Sequence, residues 1–188
     1  MLGSTAWRAT PTNLTAFMPD LHHLNTLPVE EAEAVFLRCC GATQWARQMT
    51  ARRPFADPAA LFAAADEIRA GLSRNDWLEA FAHHPRIGDL ESLRTRFANT
   101  RAWAAGEQAG AASASEEVLH ALAEGNRVYE ERFGYIFIVC ATGKSAGEML
   151  GLLHARLPND PAAELHVAAE EQRKITRLRL EKMLKRET

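Results

Sequence analysis

This 188-residue sequence predicts an all-α fold, a single domain of about seven to eight helices packed as an irregular bundle, and three observations carry the expectation. Apolar residues recur three and four apart, the spacing of a helix face, along nearly the whole chain. Helix-start signals recur as well: Ser or Asp followed by Pro, or by an acidic residue at the third position. Only one apolar run, FGYIFIVC at 133–140, has strand-like character, and no second run exists to pair with it. That run reads as a helical or extended buried segment.

The elements follow in order. Residues 1–20 hold one Arg and no continuous apolar stretch, so they read as a loosely ordered leader, with the helical domain spanning 21–188. VEEAEAVFLRCC places Val29, Ala32, Val35, Phe36 and Cys39 on one helix face. Gly41 ends that helix, and Thr43 is placed to cap the next, TQWARQM. Asp57-Pro58 is an N-cap with proline at the first helical position, and Gly71 falls near that helix's end. Ser73 or Asn75 opens NDWLEAFAHH, which Pro85 closes, because proline disfavours helix in the residue before it. The charged stretch 89–104 is expected to be helical in part. Two capping-box patterns follow, Ser113 with Glu116 and Ser145 with Glu148. The first opens a long amphipathic helix despite Gly125, and the second opens AGEMLGLLHARL. Asp160-Pro161 launches a final helix of about 25 residues, with Leu178, Leu180 and Leu184 as its seam.

Bulk properties exclude several functions. A net charge of −2 leaves no basic face for nucleic acid. No run approaches the length of apolar sequence that a membrane span requires. Cys39, Cys40 and Cys140 are an odd set in apolar surroundings, read as buried small hydrophobes rather than disulfides, which points to the cytoplasm.

Thr142-Gly143-Lys144-Ser145 invites a phosphate loop. That loop needs a first glycine where Ile138 stands, and no later apolar run ends in a magnesium-binding Asp. Gly143 instead breaks the apolar run and Ser145 caps the next helix; Lys144 is left without a role.

Two segments could carry chemistry. In HHPRIGD (83–89) a helix ends at a histidine before a rigid turn, where the macrodipole favours a protonated imidazole suited to proton transfer. A surface turn with incidental histidines fits the same residues. In WAAGEQAG (103–110), Glu107 and Gln108 sit between glycines, an acceptor and an amide suited to a ureido or amide-rich ligand. A solvated polar loop fits them too. Metal binding is not expected: His22-His23 and His83-His84 are adjacent pairs that do not converge, and His120 with Glu124 lacks a third ligand. Arg156, Arg177 or Arg179 could grip a carboxylate bidentately.

The segments CCGATQWARQM, ARRPF, DWLEAFAHHPRIGD, EQAG, NRVYEERFGYIFIVCATGKSAGEML, RLPNDPAAEL and EEQRKITRLRLEKML, in this order, resemble the OHCU decarboxylase family (2-oxo-4-hydroxy-4-carboxy-5-ureidoimidazoline decarboxylases). The resemblance covers about Leu24 to Leu184. It implies a cofactor-free, usually homodimeric helical enzyme that forms (S)-allantoin in the last step of urate degradation. It also implies that His84 is the catalytic histidine, followed by Pro85, and that Ala104, Glu107 and Gln108 occupy the family's Ser-x-x-Glu-Gln element. Ala104 departs from the serine found there in some members. By the same resemblance Ile136, Phe137, Ile138, Val139 and Cys140 form a pocket wall, and a substrate-binding arginine falls on Arg179, with Arg177 as the alternative. The peroxisomal Ser-Lys-Leu ending of many eukaryotic members is replaced by Arg-Glu-Thr. The rival expectation is a helical binding module that kept the pocket and lost the chemistry.

Overall fold

The structure, a computed structural model, describes residues 20–84, 93–94 and 109–185; all but the last residue of the expected leader 1–20, and most of 89–104, lie outside them. Among the described residues there are eight helices and no strand. They are α1 (Leu21–Thr26), α2 (Val29–Cys40), α3 (Thr43–Ala51), α4 (Pro58–Ala70), α5 (Arg74–Ala82), α6 (Ala109–Phe133), α7 (Ala146–Arg156) and α8 (Pro161–Leu184). The expected all-α architecture forms.

Most helix starts form as the caps predict. The Asp57 carboxylate accepts from the Ala60 amide at 2.8 Å, with Pro58 at the first helical position. Ser73 with Asp76 and Ser145 with Glu148 form complete capping boxes, and Asp160 caps α8. Such a cap typically stabilises by about 1 kcal/mol, because it satisfies amides the helix itself leaves unpaired.

Three expectations are corrected. Helix α6 begins at Ala109, upstream of Ser113, so Ser113 lies inside it rather than capping it. The alanine-rich run before Ser113 propagates helix at little cost once a nucleus exists, and the capping pattern is bypassed. Thr43 is not the cap of α3. Ala42 holds that position, and the Glu79 carboxylate of α5 accepts from the Thr43 hydroxyl at 2.5 Å and the Thr43 amide at 3.1 Å. Val29 stands 56% exposed at the outer end of α2, while Ala32, Val35, Phe36 and Cys39 are buried as expected.

Packing around α8 organises the domain. Helix α8 lies against α2, α4 and α5, while α6 and α7 pair with each other. A Cβ at Gly125 would stand 2.6 Å from Leu153 Cδ2, so this mid-helix glycine lets α6 and α7 approach closely. At the other end Arg53 donates to the Leu24 and Leu27 carbonyls at 2.7 and 2.8 Å, tying α1 to the loop after α3.

The run 136–141 is neither helix nor strand, with Tyr135, Phe137, Ile138, Val139 and Cys140 buried. Of the two alternatives, the non-helical one forms. Buried backbone groups need partners, and side chains supply several of them. Arg156 Nη1 donates to the Ile138 carbonyl at 2.8 Å, and the Cys140 amide donates to Glu171 at 2.7 Å. Lys144 Nζ donates to the Cys140 carbonyl at 2.9 Å, which gives that lysine its place in the turn. Gly143 takes φ +76° there, and Ser145 starts α7 as expected. Arg156 is itself held by Glu164, whose Oε1 accepts from Arg156 Nε at 2.8 Å, from Arg156 Nη2 at 2.5 Å and from the Tyr129 hydroxyl. Burial, then the bond to Glu164, pushes the Tyr129 phenol well above its ordinary range. No helix among the described residues is long and apolar enough to cross a membrane.

Candidate active site

Helix α5 ends at Ala82, His83 occupies the C-cap, and the His84 amide donates to the Phe81 carbonyl at 3.1 Å. The corner after α2 allows this placement. Gly41 turns with φ +88°, and a Cβ there would lie 2.8 Å from His83 Cβ and 3.1 Å from the Ala80 carbonyl oxygen. The end of α5 can therefore seat against the end of α2 only because residue 41 has no side chain. His84 is half-buried and approaches α8, with its Nε2 2.6 Å from Gln172 Oε1.

A cleft opens beside His84. Its wall is residues 136–142, and α8 contributes Ile175, Leu178, Arg179 and Lys182. Those four positions share one helix face. Arg179 Nη1 donates to the Arg38 and Cys39 carbonyls, each at 3.2 Å, where the C-terminus of α2 presents unpaired oxygens. The cleft thus combines an imidazole, two cations and a largely apolar wall, a set suited to a small anion that exchanges a proton.

The structure brings His84, Ile136, Phe137, Ile138, Val139, Cys140 and Arg179 to this one cleft. Pro85, Ala104, Glu107 and Gln108 lie outside the described residues. The other two arginines go elsewhere. Arg156 is buried in its pair with Glu164, and Arg177 pairs with Glu181 at 3.1 Å while covering the Phe62 ring. No group of three His, Cys, Asp or Glu side chains suited to a metal occurs among the described residues. All three cysteines are free and buried; burial pushes the Cys39 thiol up to about 12 and raises Cys40, so both stay neutral.

Gln172, Ile175, Leu178 and Lys182 were not anticipated from sequence. A signal existed for three of them: Ile175 and Lys182 stand four and three residues from Arg179, and Leu178 stands three and four residues from those two, so the four line one helix face. Gln172 had none, because its partner His84 is 88 residues away.

An imidazole beside Arg179 and Lys182 gives this helical protein a cleft whose lining is suited to a small anionic molecule. The family model described as OHCU decarboxylase matches residues 25–181, and the chain belongs to that family. The uric acid degradation bifunctional protein TTL of Arabidopsis thaliana is 38% identical over 157 residues, covering 84% of this chain and 48% of that protein. The 2-oxo-4-hydroxy-4-carboxy-5-ureidoimidazoline decarboxylase of Amia calva is 44% identical over 59 residues, 31% of this chain and 34% of that protein. The chain spans about half the length, or less, of these curated relatives. Among solved structures, one of OHCU decarboxylase in the presence of (S)-allantoin superposes with a TM-score of 0.64 at 37% identity, covering 79% of this chain and 96% of that one. An (S)-allantoin synthase at 18% identity, also with a TM-score of 0.64, shares the fold.

Proposed function

We propose that this chain decarboxylates 2-oxo-4-hydroxy-4-carboxy-5-ureidoimidazoline to (S)-allantoin and CO2, without a cofactor, as the last step of urate degradation. One observation carries the reading: His84, Arg179 and the 136–140 wall meet in a single cleft, in a chain whose family match runs over 25–181. His84 acts as general acid and base. Loss of CO2 breaks the bond to the carbon that bears the hydroxyl, and the electron pair moves into the adjacent ring C=N. The hydroxyl carbon then becomes a carbonyl as its O–H proton leaves, the ring nitrogen takes one proton, and a second delivered to one face of the neighbouring carbon sets the chirality, a net uptake of one proton for each CO2 lost. Such proton transfer contributes about 10²–10⁴-fold. Glu107 polarises the ureido and ring N–H groups with help from Gln108, and the backbone of 136–140 borders the ligand. Pro85 and Ala104 complete the contacts, without the hydroxyl that some relatives offer at position 104. Arg179 supplies positive charge for the carboxylate, and the wall keeps the site dry so that the departing group is held for cleavage. A homodimer in the cytoplasm is part of the proposal.

The test follows circular dichroism after mixing the protein with freshly generated substrate. Optically active (S)-allantoin should appear faster than in buffer; racemic product at the spontaneous rate would refute the enzyme and favour the binding module. His84→Ala should lower the enantioselective rate by about 10²–10⁴-fold, while His83→Ala should change it little. Equal activity in both variants would remove His84 from the chemistry.

A further inference from the structure

We infer that Gln172 is a positioning residue which holds His84 as the tautomer with its proton on Nε2. The inference rests on the proposed role of His84 and deepens it. Gln172 is fully buried on α8, and its amide makes three contacts. Nε2 donates to the Cys40 carbonyl at 3.1 Å and to Thr176 Oγ1 at 3.3 Å, while Oε1 lies 2.6 Å from His84 Nε2.

The Cys40 carbonyl can only accept, and that fixes the amide's direction. Reversed, Gln172 would set oxygen against oxygen at Cys40 with no proton between them, a buried repulsion in place of a bond. Oε1 therefore faces His84, and an amide oxygen can only accept. The ring must donate, so Nε2 carries a proton whether the imidazole is neutral or cationic. In the neutral ring the basic lone pair then belongs to Nδ1.

A neutral amide suits this task. A carboxylate at position 172 would also accept from Nε2, but it would bias the ring towards the imidazolium and oppose the return of the proton. Gln172 orients the ring with little such bias. The chain of command starts at a backbone carbonyl: Cys40 orients Gln172, and Gln172 orients His84.

The experiment is ¹⁵N NMR of the imidazole rings, with His84 assigned by the signal lost in His84→Gln. In the wild-type protein a hydrogen-bonded, slowly exchanging Nε2–H proton is expected, with Nδ1 unprotonated in the neutral form. Gln172→Met, of similar volume but without the acceptor, should lose that slowly exchanging proton. It should also lower kcat by about tenfold with KM nearly unchanged, the loss of one hydrogen bond to a reacting ring. Gln172→Glu should recover the ring signal as the protonated acid, whose hydroxyl donates to the Cys40 carbonyl in place of the amide N–H while its other oxygen accepts from His84 Nε2. Should Gln172→Met fail to fold, the wild-type tautomer and Gln172→Glu decide. A proton on Nδ1 in the wild-type neutral ring, or an unaltered His84 spectrum and kcat in Gln172→Met, would overturn the inference. Full activity in His84→Gln would instead overturn the role proposed for His84, while the ring spectra still report on Gln172.

Discussion

Ile138 and Cys140, the two ends of the anchored stretch of the wall, solve one problem in different settings. At Ile138 the carbonyl is held by Arg156, whose charge is neutralised by Glu164 at 2.5 Å in a site where Glu164 is fully buried. At Cys140 the amide and carbonyl are held by Glu171 and Lys144, and the Lys174 that pairs with Glu171 is about half exposed. In the buried setting every partner must be present, because an uncompensated charge has no water to turn to. At Cys140 water reaches the half-exposed Lys174, so that loss of this one partner costs little. A segment with no sheet neighbour is thus held by a sealed ion pair at one end and by partly exposed partners at the other.

The largest effect should come from breaking the buried end. Glu164→Gln leaves the Arg156 charge unpaired and should destabilise by about 3–5 kcal/mol, read as a fall in the urea midpoint. A loss below about 1 kcal/mol would erase the contrast between the ends.

The next effect is pH-dependent and belongs to Glu171. Burial pushes its carboxyl up, but the Lys174 ammonium and the Cys140 amide outweigh this and hold it below its ordinary value of 4.5. The folded value is the lower one, so the stabilisation is complete above about pH 4.5 and disappears as pH falls through the folded value. Glu171→Gln should cost about 1 kcal/mol at pH 7 and flatten that part of the acid limb in denaturation curves. An acid limb identical to the wild type would remove Glu171 from the anchor.

Lys144→Met should have the smallest effect, about 0.5 kcal/mol by the same denaturation measurement, because one partly exposed bond to Cys140 is lost. A loss matching that of Glu164→Gln would mean the Cys140 end bears the greater load.

What the sequence disclosed divides along a similar line between local and distant contacts. Asp57, Ser73, Ser145 and Asp160 announced their helices because a cap and its amides lie within three residues. Ser113 misled because the same local signal stood inside a run that was already helical. Thr43 misled because its carboxylate arrives from another helix, 36 residues away. The resemblance named the cleft residues that the structure brings together, but spacing along the chain could not have joined His84 to Arg179. Lys144 stayed unexplained for a related reason. Its partner is a backbone carbonyl, and any residue at position 140 would have offered the same oxygen.

Gly41 extends this point to the cleft. The missing side chain sets how far α5 advances along α2, and the preceding residue, Cys40, offers the carbonyl that orients Gln172. Depth and direction of the imidazole are thus dictated from one corner of the chain, by a hydrogen atom and a backbone oxygen. Neither belongs to a residue whose identity would mark it as functional. In the proposed reaction the histidine supplies the chemistry, and its aim is inherited from a place where the chain carries almost no side chain at all.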